Sequence, residues 1–240
     1  MKEALSKAIH LKDYAPPAFV VDTVDLDIDI RADDAIVTAK LAVRRGAGKG
    51  ADLVLDGDEL ELQTVSLNGK TLDKSQFDLQ PNSLTVRNVP DAFALETVTR
   101  IVPQANTKLE GLYATKHGFV TQCEAQGFRR ITWFTDRPDV MARYTTTVRA
   151  DPGKYPVLLS NGNLVKSGPG WASFVDPFPK PSYLFALVAA NLEVLTEKSK
   201  GKVLSIYVEP GKLDQAGWAM DCLKRAIAWD EKRFGLALDL

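Results

Sequence analysis

Gln122 and Glu124 stand two apart in the string Thr121-Gln-Cys-Glu-Ala-Gln-Gly-Phe-Arg-Arg-Ile-Thr-Trp-Phe-Thr-Asp-Arg-Pro-Asp. On extended backbone that spacing turns both side chains to one side. The carboxylate offers a negative charge and the carboxamide offers hydrogen bonds. Gly127 ends the extended piece and permits a sharp turn. A polar loop between apolar runs is where binding groups are usually carried. The plain alternatives are an ordinary surface carboxylate for Glu124, since Glu is mostly exposed, and a strand-end residue bonding backbone for Gln122. Arg129, Arg130, Arg137 and Arg143 invite an anion site, but Asp136 and Asp139 interleave with them, which favours local ion pairing.

Other chemistry is poorly supplied. The chain has two histidines, His10 and His117, far apart and without H-x-x-x-H spacing. Asp25, Asp27 and Asp29 suggest calcium, but an EF-hand loop needs Gly at its sixth position and Glu at its twelfth, and those places hold Ile30 and Ile36. Cys123 and Cys222 make no disulfide framework and read as free thiols in a reducing compartment. No base lies near Cys123 in sequence.

The central string, continued through Val140-Met-Ala-Arg-Tyr-Thr-Thr-Thr-Val148, closely resembles the N-terminal part of the M1 zinc aminopeptidases, the bacterial aminopeptidase N group in particular. Ala105-Asn-Thr-Lys-Leu-Glu-Gly-Leu-Tyr113 precedes it. Tyr155-Pro-Val-Leu-Leu-Ser-Asn-Gly-Asn163, the stretch from Asp176 to Ala189, Trp218-Ala-Met and Trp229-Asp-Glu-Lys-Arg-Phe-Gly235 follow in the family's order. The likeness runs from about residue 100 to the end; earlier residues match in pattern only.

The resemblance implies that Glu124 binds the free α-ammonium of a peptide and that Gln122 lines the pocket for its first side chain. A carboxylate at ~3–4 Å in a partly dry site attracts an ammonium by a few kcal/mol. It also implies a cis peptide between Glu124 and Ala125. The family's chemistry needs zinc held by H-E-x-x-H plus a downstream Glu, and a G-A-M-E-N strand. Neither motif occurs here. The expectation is therefore an N-terminal fragment that binds no catalytic zinc and cleaves nothing alone, with the downstream catalytic domain as its partner and zinc in the full-length enzyme. The alternatives are a non-catalytic M1-like interaction scaffold, an M1-type epoxide hydrolase, which shares a similar loop, and a plain β-sandwich module. The ordered series of motifs ranks them lower.

The surrounding elements read as mainly β: an antiparallel, multi-stranded, saddle-like β-sandwich over residues 1–191, then the truncated α/β start of a thermolysin-like catalytic domain over residues 192–240. Residues 1–18 form an irregular arm stopped by Pro16-Pro17. Val20 to Ile30 is expected to alternate cleanly as a half-buried strand, with Val24, Leu26, Ile28 and Ile30 facing one way and Asp25, Asp27 and Asp29 the other. Strands follow over 35–43, 53–57, 59–67, 77–79, 83–86 and 93–102, with Asn68-Gly69 a hairpin turn. Arg129 to Phe134 is expected as a strand. Asp136-Arg-Pro-Asp is expected as a turn opening a short helix, with Pro138 at its first position. Tyr144 to Ala150 and Trp171 to Val175 are strand-like, and Asn161-Gly162 is a second hairpin signal. Asp176-Pro-Phe-Pro-Lys-Pro can be neither helix nor central strand and reads as a rigid crossing segment; Tyr183 to Ala190 is a fully buried strand or a short buried helix, and its length favours the strand. Leu213 to Phe234 is the long helix, with Ala219, Cys222, Leu223, Ala226 and Ile227 as its inner face and Gly235 as its stop.

With 240 residues and 45% apolar content, the chain is long enough for a sizeable core. A net charge of −1 gives no electrostatic case for nucleic acid or a membrane surface. No apolar run approaches the ~20 residues of a membrane helix, and the first residues lack a secretory h-region. The cytoplasm is the expected location.

Overall fold

The computed structural model describes residues 10–238. Half of the arm expected over residues 1–18 thus lies outside the described residues; the described half holds one short 3-10 turn, Leu11–Asp13. In chain order the strands are β1 (Phe19–Ile30), β2 (Ala35–Arg45), β3 (Leu53–Asp56), β4 (Glu61–Leu67), β5 (Lys70–Thr71), β6 (Phe77–Gln80), β7 (Ser83–Val86), β8 (Ala92–Ile101), β9 (Gly111–Ala114), β10 (Gly118–Gln122), β11 (Met141–Arg149), β12 (Val157–Ser160), β13 (Asn163–Gly168), β14 (Trp171–Pro181), β15 (Leu187–Ala190), β16 (Glu193–Ser199) and β17 (Lys202–Val208), followed by helix α1 (Ala216–Phe234). An eight-stranded sheet runs β13-β14-β11-β1-β2-β8-β4-β5. Its pairs are antiparallel except β1 with β11, which is parallel. A four-stranded sheet, β12-β15-β10-β9, and a three-stranded sheet, β3-β7-β6, complete the larger body.

The alternation in β1 changes phase once. Phe19 and Val21 are buried, and then Val24, Leu26, Ile28 and Ile30 are buried. The register slips between Val21 and Thr23, so one extra residue flips the inward parity, as a β-bulge does. The aspartates face outward, and Asp27 pairs with Arg149 at 2.8 Å. A single hydrophobic cluster joins these residues to Leu53, Leu55, Leu84 and Val86 of the three-stranded sheet and to Leu112, Phe119, Leu187 and Ala189 of the four-stranded sheet.

The turn expectations divide. Asn68 and Gly69 both adopt positive φ and close the β4–β5 hairpin. Asn161-Gly162 does not make a hairpin, because β12 pairs with β15 while β13 pairs with β14. There the chain passes from one sheet to another. The Asn161 side chain fixes the passage by accepting the Ala186 N–H at 2.7 Å and donating to the Leu184 carbonyl at 3.1 Å. The Pro-rich segment after Asp176 is neither helix nor central strand, but it is not a crossing segment either: β14 continues through it to Pro181, pairing Lys180 with Ala142 and Pro181 with Met141. This is possible because β13 reaches only Val175, so the prolines lie where β14 has become an edge strand that needs no outward donors.

β16 and β17 form a separate hairpin against which α1 packs. Gly235 ends α1 in the left-handed region, at φ 70°. The inner face is displaced from the expected one: Ala216 and Met220 are buried, Cys222, Leu223 and Ile227 half-buried, and Ala219 and Ala226 exposed. A two-stranded hairpin covers a narrower stripe than a full sheet. Trp218 and Trp229 stay outside at 72% and 62% exposure. Among the described residues no helix is long and apolar enough to cross a membrane.

Candidate functional site

β10 ends at Gln122, held between β9 and β15. The chain then turns through Cys123–Gly127 into a 3-10 turn, Phe128–Arg130. Burial alternates sharply through this turn. Gln122 and Glu124 are exposed, Cys123 is 2% exposed and Phe128 is fully buried. The Glu124–Ala125 peptide is cis. Gln122 Nε2 donates to the Glu124 carbonyl at 3.1 Å, so its amide ties the loop backbone as well as facing outward. The Gly127 N–H donates to the Cys123 carbonyl at 2.8 Å. Gly127 has ordinary φ −83°, so no special torsion calls for glycine here. Space does: a Cβ would lie 2.4 Å from the Gln122 carbonyl oxygen.

The strand expected over Arg129 to Phe134 is absent, as is the helix expected after Asp136. Phe128, Ile131, Thr132, Trp133 and Phe134 are all buried, a pattern that a period of two cannot produce. Phe128 is the centre of an aromatic cluster, with edge contacts to Phe134 at 5.1 Å, Phe185 at 5.2 Å and Tyr144 at 6.0 Å between ring centroids. A two-sided bridge to Asp56, at 2.8 and 3.1 Å, holds Phe134. Pro138 sits in a turn before β11 rather than at a helix start.

The arginines pair, but not only locally. Arg129 meets Asp136 at 3.1 Å and Asp56 at 3.6 Å, and Arg137 meets Asp139 at 2.7 Å. Arg130 meets Asp58, Glu59 at 2.8 Å and Glu110 at 3.3 Å. Arg143 instead donates to the Pro177 carbonyl at 3.2 Å. Around Arg129 and Arg130 the carboxylates thus outnumber the guanidiniums. The partners at Asp56, Asp58 and Ser182 carry no local sequence signal; Ser182 reaches Asp136 across 46 positions and Asp56 reaches it across 80.

Among the described residues no three His, Cys, Asp or Glu side chains converge as metal ligands. His10 is exposed, and His117 lies 3.9 Å from Glu209. A zinc ion therefore finds no fitting donor set among these residues, and no step through a metal follows from them.

Cys123 and Tyr144 are both buried beneath the loop. Burial pushes both acids up from their ordinary values of 9.0 and 10.0, with the nearby Asp136 charge adding to each. Each keeps its proton when folded and loses it near its ordinary value once unfolded. The stability they give is present below pH about 9 and is lost above it, at about 1.4 kcal/mol per pH unit for each group. Urea midpoints measured from pH about 8 to about 11 are expected to fall along this course, and Cys123→Ala is expected to remove its first part. An unchanged alkaline slope in that variant would exclude the thiol as a contributor.

Comparison with known proteins accords with this geometry. Residues 20–184 match the Peptidase M1 N-terminal domain. The chain is 44% identical to aminopeptidase N of Caulobacter vibrioides over 100% of its own length and 29% of the relative's. It is 44% identical to aminopeptidase N of Escherichia coli over 98% of its length and 28% of that protein's. The crystal structure of Legionella pneumophila aminopeptidase A in complex with aspartic acid superposes with a TM-score of 0.88 at 38% identity, covering 96% of this chain and 29% of that one. The chain thus spans less than a third of the length of these relatives. A domain match across most of its residues, aligned relatives along its whole length and a shared fold place the chain in the M1 aminopeptidase family, with residues 20–184 matching the family's N-terminal domain.

Proposed function

We propose that this segment provides the amine-recognising part of the substrate site in a zinc metallopeptidase that removes N-terminal residues from peptides. Glu124 takes the free α-ammonium and Gln122 lines the space for the first side chain. The observation that carries the reading is the contrast within the loop. An exposed carboxylate stands between Cys123 and Phe128, which are both buried, so its backbone is held while its charge is free to meet a ligand. Such pre-organisation reduces the ordering that binding would otherwise require. The Legionella relative was solved with aspartic acid, a free amino acid and so the chemical class this reading requires.

An exopeptidase must distinguish a chain end from a chain middle, and the ammonium is the difference. When bound, the zinc of such enzymes activates water for attack on the peptide bond. Its ligands are assigned to the downstream catalytic domain, since the residues described here offer none. This chain's own part is to bind and orient.

The test uses this segment joined to that downstream region. A hydrogen bond to a charged group is worth ~1.5–3 kcal/mol. Glu124→Ala is therefore expected to raise KM for an aminoacyl amide about 10- to 100-fold and to lower kcat/KM with it. An unchanged kcat/KM would remove Glu124 from the anchor role. The 240-residue chain alone is expected to hydrolyse no alanyl amide and to carry no stoichiometric zinc; turnover with bound zinc would relocate the chemistry.

A further inference from the structure

We infer that Asp136 is a positioning residue for Glu124, fixing the entry and the exit of the loop against each other through Ser182 and Arg129. This rests on the amine-anchor reading and extends it to residues that do not touch substrate. The Asp136 side chain is only 1% exposed, and each of its oxygens is used. Oδ1 accepts the Ser182 hydroxyl at 2.5 Å. Oδ2 accepts the Arg129 backbone N–H at 3.2 Å and its Nε–H at 3.1 Å. The Asp136 carbonyl accepts a second guanidinium N–H of Arg129 at 3.2 Å, and its own N–H donates to Asp56 at 3.1 Å.

These bonds join both ends of the loop. Arg129 belongs to the turn by which the chain leaves it. Ser182 opens a 3-10 turn just before β15, and β15 pairs with β10, the strand that delivers Gln122 to the loop. A carboxylate serves this post because it accepts on both oxygens. An asparagine keeps the shape, and its amide N–H can turn to the Ser182 oxygen, which also accepts, but it removes the buried charge that pairs with Arg129.

The experiment measures, in the whole protein carrying this segment and the downstream region, the inhibition constants of an amino-acid amide and of its des-amino analogue. Their ratio isolates recognition of the amine from general loss of fold. Glu124→Ala is the reference and is expected to collapse the ratio. Asp136→Asn and Ser182→Ala are expected to lower it about three- to tenfold, with KM rising and kcat kept within about twofold. Adding Ser182→Ala to Glu124→Ala is expected to lower it no further, as for residues acting through one group. Ser182→Ala removes a single hydroxyl and carries the test where Asp136→Asn does not fold. A ratio unchanged in both variants, beside a collapsed ratio in Glu124→Ala, would overturn the positioning role. An unchanged ratio in Glu124→Ala itself would overturn the anchor reading, and the positioning role with it.

Discussion

Phe128→Ala is expected to destabilise the chain by about 3–5 kcal/mol, the range for deleting a fully buried aromatic ring. Phe128 has no exposed surface and packs edge-on against Phe134, Phe185 and Tyr144. Such aromatic contacts add about 0.5–1.5 kcal/mol each beyond the area they bury. The three partners come from different parts of the chain: Phe134 is bridged to β3, Tyr144 lies on β11, and Phe185 precedes β15. None of these backbones is free to close over the space left by the ring. Phe128→Leu, which retains most of the volume, is expected to cost about half as much. Urea denaturation of the 240-residue chain reads both. A loss below about 1.5 kcal/mol for Phe128→Ala would show that the cluster collapses readily and that the loop above it is not rigidly founded.

The parts that could be read from the sequence are those set by local rules. β2 and the part of β1 from Val24 on follow their alternation, Asn68-Gly69 makes the turn its φ preferences require, and α1 stops at Gly235. The chemical groups of the loop could be seen as well, although their meaning came from the motif series and not from spacing. What could not be read depends on partners distant in sequence. The segment from Arg129 to Phe134 contains β-formers such as Ile131, Thr132 and Phe134, yet it folds as a turn and coil because its aromatic residues are buried on more than one side. The prolines after Asp176 stay in β14 because a neighbouring strand ends early, which no property of the prolines announces. Asp136 reads locally as the partner of a nearby arginine. Its other partners arrive only when β3 and the turn before β15 are brought beside it.

Asp176→Ala is expected to cost about 3–5 kcal/mol, whereas the double variant Asp176→Ala with Lys180→Met is expected to recover most of that loss. Lys180 and Asp176 pair at 2.9 Å with side chains only 9% and 10% exposed, and the ammonium also lies 3.9 Å from the centre of the Tyr144 ring. Burial draws the Lys180 ammonium below its ordinary value, while its bond and charge contact with Asp176 oppose that shift. Removing Asp176 leaves the cost of burial and takes away its main opposition. The folded chain must then hold an unpaired buried charge or release a proton that the unfolded chain keeps. In the latter case the unfolded state binds more protons, so the stability of Asp176→Ala is expected to rise with pH through the window below 10.5, the ordinary value of lysine. The measurement is a set of urea midpoints for the wild type, each single variant and the double, at neutral pH and at about pH 9.5. That higher pH also engages Cys123, so each variant is compared with the wild type at the same pH. Additive losses in the double variant would show that the pair does not act as a unit. Recovery in the double would show that the charge on Lys180 is tolerated at this position only because Asp176 faces it.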